Sequence, residues 1–194
     1  EPQEYAYIPD DLLEQVQRSA DRGPAPLGRK ATAVERAHPV PANDRILDDA
    51  CTLLAALRLG MPIETLPAGQ TRIPAPALLA LLQAANLLDA NRQPFAEAAK
   101  AFLEAPRGKA LAMLASAWMG SPGFNELRLL PGLILEGEWS NDPLLARRFL
   151  LDLLSHIPQD TYWSLPAFVN AVREKHPDFQ RPAGDYDSWF IRQE

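Results

Sequence analysis

A chain of 194 residues, 47% of them apolar and with a formal charge of −6, is long enough to bury a core as one domain or as two small ones. Its one cysteine, Cys51, excludes an internal disulfide framework and a multi-cysteine zinc site, and suits a reducing cytoplasm, the expected location. Residues 1–106 carry 10 Lys and Arg against 14 Asp and Glu, and residues 107–194 carry 9 against 11, a balance that argues against strong non-specific nucleic-acid binding but leaves room for a local patch.

Alanine and leucine dominate over valine and isoleucine, which favours helix. No basic leader, apolar h-region or bilayer-length run is present, so a soluble chain is expected. With a helix-like start just before Glu194, an excerpt of a longer chain is expected. Residues 1–42 read as an N-terminal arm or linker. Asp10 and Asp11 lead into a short helix with Leu12, Leu13 and Val16 on one side, and Gly23, Pro24 and Pro26, then Pro39 and Pro41, break structure.

Residues 43–139 read as a first helical domain. Asn43 is a good N-cap for a helix to Leu59, in which Ile46, Leu47, Ala50, Leu53, Leu54 and Leu57 form one stripe. Gly60 and Pro62 end it, and short strands are expected over 63–66 and 71–73. Pro74 and Pro76 open a helix to about Leu88 that is apolar on most sides. Two more helices follow, Pro94 to Glu104 and Arg107 to Met119, separated by Pro106; the second carries Leu111, Leu114, Ala115 and Trp118. One helical turn fits 124–128, and 130–139 is a connection or short strand.

Residues 140–194 read as a second, incomplete module. Asp142 caps a helix that starts at Pro143, with Leu144, Leu145, Phe149, Leu150, Leu153 and Leu154 as core face and Arg147, Arg148 and Asp152 facing out. Thr161, Tyr162 and Trp163 suggest a short aromatic strand. Ser164 caps the next helix, whose stripe is Leu165, Phe168, Val169 and Val172. A third helix is expected to begin near Asp185. The fold class is therefore mainly α with small β elements, in tandem winged-helix or helix-turn-helix-like modules.

Several segments together carry a likeness: Ile8-Pro9-Asp10-Asp11-Leu12, Leu47-Asp48-Asp49, Trp118, Phe124-Asn125-Glu126-Leu127-Arg128, Tyr162-Trp163-Ser164 with Phe168, Pro177 to Pro182, and Ser188-Trp189-Phe190-Ile191-Arg192 with Tyr186. In this order the chain resembles bacterial proteins that carry a helicase-associated region similar to the N-terminal part of XPB-type DNA repair helicases. The resemblance covers most of 43–194. It implies winged-helix modules attached to DNA-processing machinery and no active site within them. The chain lacks the Gly-x-x-x-x-Gly-Lys-Ser/Thr phosphate loop, so nucleotide hydrolysis is not expected. It departs from the resemblance in its acidity and in stopping before a complete third helix and wing.

The residues offer little chemistry. His38, His156 and His176 are far apart and complete no metal triad. Cys51 reads as a small core residue, the Glu136–Glu138 pair as a solvated connector, and Asp44, Asp48 and Asp49 as helix-start charge without calcium-loop spacing. Arg147, Arg148, Arg173, Lys175, His176, Arg181 and Arg192 form the candidate nucleic-acid contact set, against the simpler reading of solvated helix faces. Tyr162, Trp163, Tyr186 and Trp189 could stack on bases, but core packing fits Trp163 and Trp189 better. The expected function is non-enzymatic, without cofactor, metal or membrane: binding of double-stranded DNA, or docking to a helicase or other DNA-processing partner. The alternative is a protein-interaction module of the same fold that makes no nucleic-acid contact.

Overall fold

The structure, a computed structural model, describes residues 24–40, 42–63, 73–137, 141–179, 187 and 189–193. The helix expected after Asp10, most of the strands expected over 63–66 and 71–73, and Arg181 lie outside these residues. Eight helices and two strands are described: α1 (Ala33–Arg36), α2 (Ile46–Arg58), α3 (Ala75–Ala84), α4 (Ala96–Glu104), α5 (Arg107–Gly120), α6 (Glu126–Leu129), β1 (Leu133–Gly137), α7 (Pro143–Ser155), α8 (Leu165–Lys175) and β2 (Trp189–Gln193). The mainly helical class with a small sheet is as the sequence indicates. The chain divides into two compact units, 1–39 with 149–177 and 40–148 with 178–194, and the division falls inside α7.

In the larger unit, 40–148 with 178–194, α2 buries Leu47, Ala50, Leu53, Leu54 and Leu57 along the stripe that its 3.6-residue period sets. Asn43 does not cap this helix: its Oδ1 accepts from the Arg45 amide at 3.1 Å, and Arg45 holds the cap position without a side-chain bond. Asp44 and Asp48 instead grip Arg107, at 2.6 and 2.8 Å, which ties the start of α2 to the start of α5. The Arg107 guanidinium holds the Asp44 carboxyl below its usual range. α3 opens on Pro74 and Pro76 as expected, and it stops at Ala84 because Asn86 turns into the left-handed region at φ 54°. Leu87 and Leu88 then bury outside the helix. α3 packs on α5 and α6, and α2 on α5. Leu82, Leu87, Phe102 and Leu114 are the largest fully buried apolar side chains, each contributing about 1.5–3 kcal/mol on leaving water.

β1 pairs antiparallel with β2, Leu133 opposite Gln193 and Gly137 opposite Trp189. This corrects the third helix expected at the end of the chain: residues 189–193 are strand. Trp189, Phe190 and Ile191 are aromatic and β-branched, and the ladder offered by 133–137 gives that preference a partner.

In the smaller unit, 1–39 with 149–177, Leu27, Phe168 and Val172 form the core, with Phe149, Leu153, Ile157, Trp163 and Ala171 packed against it. Ser164 caps α8 as predicted, accepting from the Ala167 amide. The expected aromatic strand is reduced to one bridge, Lys30 to Trp163, flanked by hydrogen bonds from the Ala31 amide to the Tyr162 carbonyl and from the Ser164 amide to the Arg29 carbonyl. Trp163 Nε1 donates to the Leu27 carbonyl at 2.7 Å, a core role as expected. Gly28 lies against the first turn of α8 at φ 84°; a Cβ there would fall 2.8 Å from the Phe168 amide nitrogen. Thr32 and Glu35 close a capping box on α1, and Glu35 also takes Arg29 at 2.8 Å and the Ser164 hydroxyl at 2.6 Å. These contacts, Arg29 first, hold the Glu35 carboxyl far below its ordinary range. Leu165 and Val169, placed on the core stripe by their spacing, are exposed, because the short strap at 27–31 covers only the Phe168 and Val172 side of α8.

Candidate functional site

Of the basic residues singled out in the sequence, Arg173 and Lys175 sit exposed on the last turn of α8, where positive charge complements the helix dipole. His176 follows them and meets the Phe149 ring edge-to-face at 5.0 Å. Arg148 is exposed on α7. Arg192, on β2, is paired with Glu136 of β1 at 2.6 Å. α8 thus gathers Arg173, Lys175 and His176 at one helix end, while Arg147, Arg148 and Arg192 belong to the other unit.

Arg147 is a correction. The sequence placed it on the outer face of α7; in the structure it is 4% exposed. Its Nε donates to Glu126 Oε1 at 2.6 Å, and its terminal nitrogens donate to the carbonyls of Trp118 (2.5 Å), Ser121 (2.8 Å) and Phe124. The guanidinium also lies 5.5 Å from the Trp118 ring centroid and 5.4 Å from that of Phe124. The physical reason is the end of α5. The Trp118 carbonyl in its last turn has only a 3.4 Å contact from the Ser121 amide, the Ser121 and Phe124 carbonyls lie in the turn beyond it, and a planar cation with five donors reaches all three at once. Leu145 and Leu154, expected on the core face of α7, are exposed instead.

Beside this buried arginine lies an apolar groove of about 460 Å³. One wall is the α5 row Leu111, Leu114, Ala115 and Trp118, whose i, i+3, i+4, i+7 spacing keeps it on one side of the helix. Ala77 and Leu81 of α3, one turn apart, form the facing wall, with Ile73 and Pro74 at its end. Ile46 contributes from the start of α2, and Phe124, Leu129 and Leu130 close the far side. Ile73, Ala115 and Leu130 are exposed, so the groove opens to solvent along these residues.

Among the described residues, Glu126 is the one ionisable residue in the lining. Its Oε1 accepts from Trp118 Nε1 at 2.8 Å as well as from Arg147. Its Oε2 has a longer contact, 3.3 Å, to the outer nitrogen of Arg147, and the side chain remains 41% exposed. Trp118, Glu126 and Arg147 therefore form a fixed polar group at the edge of an apolar recess. The sequence marked the apolar row of α5, Leu111, Leu114, Ala115 and Trp118, but gave no reading of this group. Its only signal was a tryptophan and a carboxylate eight residues apart near a helix end.

The groove's lining offers shape and a hydrogen-bond acceptor rather than a nucleophile and base. Cys51, on α2, is half-buried against the larger core; burial first, then Asp48, pushes its thiol pKa up, away from the thiolate. Among the described residues no group of three His, Cys, Asp or Glu side chains converges, and no helix is long and apolar enough to cross a membrane. Compared with protein-family models, curated proteins and solved structures, the chain finds no match in any of the three.

Proposed function

We propose that this chain is a non-enzymatic docking module, and that the unit of residues 40–148 with 178–194 receives an apolar segment of a protein partner in the groove between α3 and α5. The observation that carries the reading is the open apolar recess itself, held in shape by the Trp118–Glu126–Arg147 group. Concave, mostly apolar sites with few, fixed polar groups are where proteins bind ligands and partners. The charge of −6, and the pairing of Arg29, Arg107 and Arg192 with carboxylates, favour a protein over a phosphate backbone. In this proposal the winged-helix likeness describes the scaffold, and the partner belongs to DNA-processing machinery, a helicase among the candidates.

A second reading, contact with duplex DNA, is favoured by the exposed Arg173 and Lys175 at the end of α8. Two titrations separate the readings. Nile red, a neutral dye that brightens in apolar surroundings, is expected to brighten with the wild-type chain and not with Ala115→Trp, which fills the groove from an exposed position, at unchanged circular dichroism. Labelled single-stranded and duplex DNA are expected to show no rise in anisotropy at low or moderate salt. Salt-steep DNA binding that disappears in Arg173→Ala/Lys175→Ala, with a groove that takes no dye, would replace docking by nucleic-acid recognition.

A further inference from the structure

The groove also specifies what enters it. We infer that the partner segment is a short amphipathic helix whose apolar anchors fill the recess and whose Lys or Arg, about one turn beyond them, is read by Glu126. The inference rests on the docking reading above.

Backbone hydrogen bonding favours a helix in the groove. The groove's two long walls are helices, α3 and α5, whose amides and carbonyls, away from the helix ends, are spent on their own hydrogen bonds. Among the described residues, an extended segment laid between them would find no strand edge to pair with, and its own polar backbone would be buried without partners. A helix brings its backbone bonds with it. The α5 wall from Leu111 to Trp118 spans two turns, or about 10 Å, which matches anchors at i, i+4 and i+7 of a docking helix.

Charge at the groove's edge favours a cation on that helix. The cation of Arg147 is solvated by three backbone carbonyls in addition to Glu126, and it lies behind the carboxylate, 4% exposed. Glu126 Oε1 is saturated by Trp118 and Arg147, whereas among the described residues Oε2 has only the 3.3 Å contact, on a side chain that is 41% exposed. The pair therefore presents its negative end at the groove. A donor on the entering segment gains a charge-assisted hydrogen bond there, and an Asp or Glu meets repulsion in a poorly solvated place.

The test is selection from a display library of helix-forming peptides of about 14 residues, with Leu at i, i+4 and i+7 and the other positions randomised. The library is panned on the full chain and counter-selected on Ala115→Trp; Leu130→Asp, at the exposed rim, is the second groove variant. The expected outcome is a set of groove-dependent binders enriched in Lys and Arg at one position beyond the anchors. Changing that cation to Glu in a selected peptide weakens binding roughly tenfold at low salt, and less as salt rises. Because this change is made in the peptide, the Glu126–Arg147 pair and the fold are undisturbed. Groove-dependent binders without a cation preference overturn this inference and leave the docking reading in place. An absence of groove-dependent binders overturns both. Concentration-dependent self-association of the wild-type chain that is lost in Ala115→Trp also overturns the inference, because a second copy of the chain is then the occupant.

Discussion

Replacing Arg147 by methionine tests whether this residue organises the larger unit or serves as a surface charge. Methionine keeps most of the buried volume but removes every donor. The carbonyls of Ser121 and Phe124 lose the donor they have among the described residues, at about 1–3 kcal/mol for each acceptor left unsatisfied, while that of Trp118 keeps a 3.4 Å contact from the Ser121 amide. Ring contacts with Trp118 and Phe124 are lost as well, about 0.5–1 kcal/mol. Two effects reduce the sum: Glu126, 41% exposed, can rehydrate, and the desolvation of the guanidinium disappears. The net expected loss is about 3–5 kcal/mol, the usual range when one partner of a buried pair is removed.

The assay is urea unfolding followed by circular dichroism and by tryptophan emission, since Trp118 shares Glu126 with Arg147. Arg148→Met is the internal control, one position along α7 but exposed, with an expected change within about 0.5 kcal/mol. Glu126→Gln is expected to fall between the two, because the amide oxygen still accepts but the charge is gone. A loss under about 1 kcal/mol for Arg147→Met, or equal losses at 147 and 148, would refute the buried-hub argument and return Arg147 to the set of surface cations.

Three further predictions concern the smaller unit. Gly28→Ala is expected to destabilise by about 1–3 kcal/mol and by clearly more than Gly60→Ala, because both glycines have positive φ but only the Cβ at 28 meets backbone, 2.8 Å from the Phe168 amide nitrogen; equal melting shifts would show that the strap at 27–31 does not press on α8. Phe168→Ala is expected to cost about 3–5 kcal/mol as a truncation in a small core, and a urea midpoint close to that of the wild type would place this face elsewhere. Glu35 has its pKa lowered in the folded state, so its stabilisation is present above the ordinary glutamate range and is lost as pH falls through that range toward the folded value. Melting temperature measured from neutral pH into acid should therefore fall more steeply for the wild type than for Glu35→Gln, and parallel curves would contradict the Arg29–Glu35–Ser164 linkage.

What the sequence made legible follows from how far each physical signal reaches. Helices α2 to α5, α7 and α8 were readable because apolar periodicity and caps are local: Pro74 and Pro76, Asp142 before Pro143, and Ser164 act within one turn of the residues they organise. The strand at 189–193 was not readable, because a short aromatic run takes helix or strand according to its partner, and that partner, 133–137, lies more than fifty residues earlier. Arg147 was hidden for a different reason. Its acceptors are mainly main-chain carbonyls, which any residue supplies, so nothing distinguished it from Arg148 beside it. The groove shows the limit most clearly. Spacing marked the apolar row of α5, and α3 read as apolar on most sides, but neither signal told whether a neighbour fills the space they face. Periodicity reports the direction of burial, whereas occupancy depends on the volume supplied by every other element. The open recess is where, among the described residues, inward-facing apolar side chains outnumber those that cover them. An apolar face in that position is an incentive for a second molecule to bind, and Glu126 at its edge sets the sign of the charge that molecule should carry.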